Sequence, residues 1–124
     1  MEEIKYAWRA AGHPLLEGPL QLECEFLFLR PKAHYDANGL VKPRYFHERP
    51  GRGKNGGDID NLVKIVLDAL NQVAYEDDLQ VADLWLRKRY CGAGEQPETR
   101  VRFTVLTTAD VVDNGAQMTL GEAV

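Results

Sequence analysis

Residues 56–90 read GGDIDNLVKIVLDALNQVAYEDDLQVADLWLRKRY, and two periodicities in them set the architecture. In the first half, Leu62, Val66, Ala69, Leu70 and Val73 recur with helical spacing, which predicts an amphipathic helix over Asp60–Ala74. Asp60 stands where a side-chain cap is favoured, just before the apolar run. In the second half the period changes to two. Leu84, Leu86 and Tyr90 alternate with Trp85, Arg87 and Arg89, which predicts a strand over Leu79–Tyr90.

Further strands lie on either side. Upstream, Leu20, Leu22, Cys24, Phe26 and Phe28 share one face of a predicted strand over Leu20–Arg30. Its far end, with Leu27 and Leu29, is apolar on both faces and is expected to be covered on both. Downstream, the turn-rich CGAGEQPE leads to a predicted strand over Arg100–Leu106, where Val101, Phe103 and Val105 alternate with Arg100 and Arg102. Glu2–Ala11 reads as a short helix, ended by Gly12 and Pro14. The expectation is a small α+β domain over residues 1–106, a mixed sheet packed against helices. Residues 107–124 are expected to form an acidic, frayed tail.

The chain has 124 residues, 44% hydrophobic and 27% charged, as expected of one globular domain. No apolar run approaches the length of a membrane span, and the N-terminus lacks the pattern of a secretory leader. Cys24 and Cys91 match no metal or redox spacing, so a cytoplasmic protein with two free thiols is expected. Serine is absent, which excludes a serine nucleophile.

Net charge is −4, but the charges are segregated. Seven Lys or Arg and two acids lie between Arg30 and Lys54. Six acids and one base, Lys64, lie between Asp58 and Asp78. Residues 31–57 are a long polar connection with Tyr35, Tyr45 and Phe46 interleaved among its cations, a composition that suits a surface facing nucleic acid. Its GRGKNG follows no strand and is read as loop, not as a phosphate cradle.

Asp58 and Asp60 form a D-x-D pair at the mouth of the predicted helix, with Lys64 and Asp68 at successive turns. Glu76, Asp77 and Asp78 follow the helix. Clustered carboxylates repel, and either proton uptake or a bound cation relieves them. An all-oxygen ligand set suits Mg²⁺, with Mn²⁺ substituting. Such a site serves phosphodiester hydrolysis. The helix spans about 20 Å, so Asp78 meets Asp58 only if the next strand folds back beside the helix start, or if a second chain supplies it. Simpler roles stand beside this one. Asp60 can be only a cap, Lys64–Asp68 only an ion pair, and Asp77–Asp78 only a polar turn.

The same residues carry a resemblance. The stretch is similar to the signature of RusA-type Holliday-junction resolvases, DxDNxxKxxxDxLN followed by DDxxV. Asp58, Asp60, Asn61, Lys64, Asp68, Leu70, Asn71, Asp77, Asp78 and Val81 all fit it. Arg30–Tyr35, RPKAHY, resembles the family's RPKxHY segment, and His47 its histidine ahead of DxDN. The resemblance implies a homodimeric, Mg²⁺-dependent endodeoxyribonuclease that resolves four-way DNA junctions. By motif position, Asp58, Asp60 and Asp78 are the metal-holding catalytic acids and Lys64 the catalytic lysine. Asn61, Asp68 and Asp77 stand in support. Lys32, Arg44, Arg49, Arg52, Lys54, Arg87 and Arg89 are the expected phosphate contacts. The family commonly begins with a further strand, so the sheet here is expected to lack one. A junction-binding homologue that does not cut and a metal-independent interaction protein are the alternatives.

Overall fold

A computed structural model describes residues 2–50, 58–106, 111–112 and 117–120. Arg52 and Lys54, two of the expected phosphate contacts, lie outside the described residues. The elements, in chain order, are α1 (Glu2–Ala10), β1 (Leu20–Phe28), α2 (Ile59–Leu70), β2 (Val81–Tyr90), β3 (Glu98–Leu106), β4 (Val111–Val112) and β5 (Gln117–Leu120). Short 3₁₀ turns occupy Lys32–His34, Pro43–Tyr45 and Asp78–Gln80.

β1 is the centre of a mixed sheet. It pairs in parallel with β2, from Leu20↔Val81 to Phe28↔Tyr90, and antiparallel with β3, from Leu20↔Val105 to Leu27↔Glu98. β2 is the outer strand beside β1, and β4 and β5 pair with β3. Parallel neighbours need a crossover, and α2 supplies it. The small α+β domain read from the pattern is therefore the observed fold. The two segments beyond residue 106 that pair with β3 carry too little periodicity to be read as strands from sequence.

The core lies between the sheet and the helices. Leu22, Phe26, Val101 and Phe103 from the sheet meet Leu62, Val66, Ala69 and Leu70 from α2. Trp8 of α1 closes one side, its ring edge-on to Phe103 with centroids 5.5 Å apart.

Several boundaries differ from the sequence reading, each for a local reason. Asp58, not Asp60, holds the N-cap position of α2, and Asp60 falls in the first turn. The helix ends at Leu70 rather than Ala74. Asn71 is extended, and Gln72 adopts φ 64°, a left-handed conformation that stops helices. The backbone then turns so that Leu16 N–H donates to Ala74 C=O at 2.8 Å, and Ala74 and Tyr75 enter the core. β1 stops at Phe28. Leu27 is fully buried as expected, but Leu29 lies beyond the last ladder pair and is 71% exposed. β2 begins at Val81, after the 3₁₀ turn. Leu84, on the side of β2 that shares a face with core residue Leu22, is 48% exposed because an outer strand is only partly covered.

Candidate functional site

The β1–α2–β2 crossover gives the molecule two ends. Leu16 and Tyr75 form a bridge just ahead of β1, which fixes the C-terminal end of α2 beside the start of the parallel strands. A twelve-residue helix is about 18 Å long. Its N-terminus therefore points toward the other end, where β1 and β2 finish. That is the end at which open parallel arrangements offer their ligand-binding crevice.

Asp58 and Asp60 stand at this N-terminus. The backbone carbonyl of Asp58 accepts from Asn61 and Leu62 N–H, at 3.0 and 3.1 Å, but its side chain makes no capping bond. Among the described residues, neither carboxylate has a hydrogen-bond or ion-pair partner, and both are exposed. The positive pole of the helix favours negative charge there. Asn61, Lys64 and Asp68 follow on the exposed side of α2. Lys64 forms no ion pair with Asp60 or Asp68, so its ammonium is uncommitted among the described residues.

Asp77 and Asp78 lie at the opposite end. The Tyr75 hydroxyl donates to Leu67 C=O at 2.8 Å. Burial pushes the pKa of that phenol above its ordinary value, and the nearby charges of Asp78, Asp68 and Asp77 push it further up. These three carboxylates therefore lie near the Tyr75 hydroxyl, at the C-terminal end of α2. Asp77 shapes the local backbone, since its Oδ1 accepts from Leu79 N–H at 2.9 Å in a capping box with Gln80. Gln80 Nε2 donates to Leu16 C=O and Gly18 C=O, tying this turn to the entry of β1. The D-x-x-Q spacing held the signal for Gln80. Among the described residues, no three His, Cys, Asp or Glu side chains of one chain converge to hold a metal ion.

The cationic connection is rooted at the same end as Asp58. Residues 31–50 are built rather than loose. Tyr35 bridges Val41, and Asp36 Oδ1 accepts from Asn38 N–H at 2.8 Å and Leu40 N–H at 3.0 Å. Lys32, Arg44 and Arg49 are exposed on it. Arg44 leans over the Tyr45 ring at 4.9 Å, and Arg49 donates to Glu48 C=O at 3.1 Å. His47 is exposed nearby.

The two remaining expected phosphate contacts sit on the sheet face away from α2. Arg87 is largely exposed, 3.6 Å from Glu25. Arg89 is held inside a network. It donates through Nε to Glu25 at 3.2 Å and through both Nη atoms to Glu95 at 2.6 and 2.7 Å. Arg100 donates to Glu25 at 3.0 Å and to Glu98 at 2.7 Å. The paired donation from Arg89, with Gly92 N–H at 2.7 Å, holds the Glu95 carboxyl down to about 2. This network was not legible in the sequence, because Glu25 and Arg100 meet only through strand register. Trp85, on the same face, is 65% exposed and belongs to no core.

The family described as Endodeoxyribonuclease RusA matches residues 1–104. A protein of Bacillus subtilis (strain 168) named Uncharacterized protein YqaN is 33% identical over 87 residues. The match covers 70% of this chain and 58% of that relative, so the chain spans little more than half of the relative's length. No solved structure matches the chain.

Proposed function

The chain belongs to the RusA endodeoxyribonuclease family, and from that premise we propose that it is a divalent-metal-dependent endonuclease that hydrolyses phosphodiesters in four-way DNA junctions. One observation carries this reading. Two uncommitted carboxylates, Asp58 and Asp60, stand at the end of the molecule where the cationic connection is rooted.

The donor set fits the metal. Both groups are exposed carboxylates, and hard cations such as Mg²⁺ or Mn²⁺ prefer oxygen ligands and retain water. Asp58 and Asp60 would hold the ion, with Asp78 as the third carboxylate. Bound there, the ion would supply Lewis acidity and an activated water.

The chain's own side chains do the rest. Lys64, one turn beyond Asp60, offers its ammonium to a non-bridging phosphate oxygen where charge develops. Lys32, Arg44 and Arg49 hold the backbone of the DNA, and Arg52 and Lys54 extend that grip. Asn61 and Asp68 flank Lys64 and fix its surroundings. The separation of Asp78 from Asp58 along α2 is the reason to propose a homodimer in which the partner subunit's Asp78 completes each site. Two such sites related by a two-fold axis match the two opposed strands of a junction.

The same separation supports a second reading. A chain that stays monomeric would bind branched DNA without cutting it. A gel assay decides between them, using a synthetic four-way junction and a matched linear duplex, each with Mg²⁺ and with EDTA. Paired nicks confined to the junction and dependent on Mg²⁺ are expected. A shifted band without product identifies the binding protein, and neither shift nor product overturns both readings.

A further inference from the structure

A buried imidazole lies at the root of the cationic connection. His34, the histidine of the RPKAHY segment, is 6% exposed and has no part in the chemistry proposed for the acids and cations. Its ring stacks on Tyr45, with centroids 4.0 Å apart and planes 5° from parallel, and stands edge-on to Tyr90 at 5.5 Å. Arg30 Nη1 lies 3.3 Å from Nδ1, and it also donates to Tyr45 C=O at 3.1 Å. The Arg30 guanidinium covers the Tyr90 ring at 4.6 Å. On the other edge, Nε2 lies 3.3 Å from a Glu48 carboxylate oxygen. Lys42 N–H donates to His34 C=O at 2.8 Å.

Arginine has no acceptor, so its approach to Nδ1 places the ring proton on Nε2, facing Glu48. One side chain thus joins Arg30, two residues past β1, the end of β2 and two points of the connection. It also decides the charge that the connection presents. Residues 31–50 contain two acids. Asp36 is held by two backbone N–H groups, and Glu48 is held by His34. Lys32, Lys42, Arg44 and Arg49 have no ion-pair partner among the described residues.

We infer that His34 is a positioning residue: it clamps the cationic connection to the sheet end and keeps the Glu48 carboxylate away from the cations that meet phosphate. The electrostatic half rests on the proposed DNA-binding function, whereas the clamp itself does not.

The test uses the full chain and the variants His34→Phe, Glu48→Gln and the pair together. Phenylalanine keeps the stack on Tyr45 and removes both nitrogens. Thermal melting establishes that each variant is folded. Trypsin then reads the connection at Lys32 and Arg44, the two sites in residues 31–50 not followed by proline, and a four-way junction without metal reads affinity. His34→Phe is expected to be cut faster within residues 31–50 and to bind about tenfold more weakly. Glu48→Gln alone is expected to bind within about twofold of wild type, and added to His34→Phe it is expected to restore most of the lost affinity. A role confined to packing would leave the two changes additive, and additivity overturns the inference. So does a wild-type trypsin rate in His34→Phe. If His34→Phe does not fold, Glu48→Ala, which removes the acceptor that glutamine would keep, carries the trypsin arm. Losing the Nε2 contact should quicken cleavage, and an unchanged rate overturns the clamp. Failure of the wild-type chain to bind any DNA overturns the proposed function and the electrostatic half, while the trypsin arm still decides the clamp.

Discussion

Arg89 donates to Glu25 at 3.2 Å from a register in which neither residue is the other's sequence neighbour. The guanidinium is 21% exposed and its donors are shared between Glu25 and Glu95. Its first role is to hold β2 against β1 and the 91–97 turn. Arg89→Met should lower stability by about 1–3 kcal/mol, because Glu25 loses a charged donor in a partly covered site. Arg87→Ala, at an exposed position, should change it by about 0.5 kcal/mol or less. Urea unfolding at neutral pH measures both. Equal effects would show that the network has no structural weight.

Glu95 makes part of the stability depend on acid. Its carboxyl is held at about 2, below the ordinary 4.5, by Arg89 and by Gly92 N–H. A depressed folded value stabilises above 4.5, and the gain fades as pH falls toward 2. Wild type should therefore melt above Glu95→Gln at neutral pH, with the gap closing as pH drops from 4.5 to 2. A gap that stays constant across this window would contradict the assignment.

The alkaline side has the opposite sign. Burial pushes the Cys24 thiol from 9.0 up to about 12, and burial with nearby carboxylates raises Tyr75 above its ordinary 10.0. Both folded groups keep protons that the unfolded chain releases. Stability should fall as pH rises above 9 for Cys24 and above 10 for Tyr75. Cys24 should also resist alkylation at pH 8.5 until the chain unfolds, while Cys91, half-buried, reacts first. Mass spectrometry of the labelled peptides reads the order, and early labelling of Cys24 would contradict its burial.

The two ends of α2 allow a mixing test of the proposed nuclease. Asp58→Asn and Asp78→Asn should each abolish junction cleavage and retain junction binding. Mixed and allowed to exchange subunits, they should recover part of the activity, since one site in each mixed dimer keeps both kinds of carboxylate. Recovery requires that Asp78 act across the interface. Persistent inactivity of the mixture, with exchange demonstrated, would place all three acids of a working site in one chain.

Tyr75→Phe removes one hydrogen bond, leaving Leu67 C=O without that donor. The cost should be about 1 kcal/mol. Chemical denaturation measures it, and a cost several times larger would mean that the hydroxyl also organises the Asp77–Asp78 turn.

Much of this protein was legible along the chain. The stripe through Leu62, Val66 and Leu70 determined α2, and alternation in β1 and β3 determined which residues face the core, because periodicity is a local property of helices and strands. The run from Asp58 to Val81 determined the family resemblance, which the match over residues 1–104 supports. The partners across the fold were decided elsewhere. Only the pairing of β1 with β2 and β3 brought Arg89 and Arg100 to Glu25, and only the crossover direction of α2 set Asp58 and Asp78 at opposite ends. Only the root of the connection enclosed His34 between Arg30, Tyr45, Tyr90 and Glu48. Strand order, register and helix direction are set by packing between residues tens of positions apart, and no local pattern encodes them.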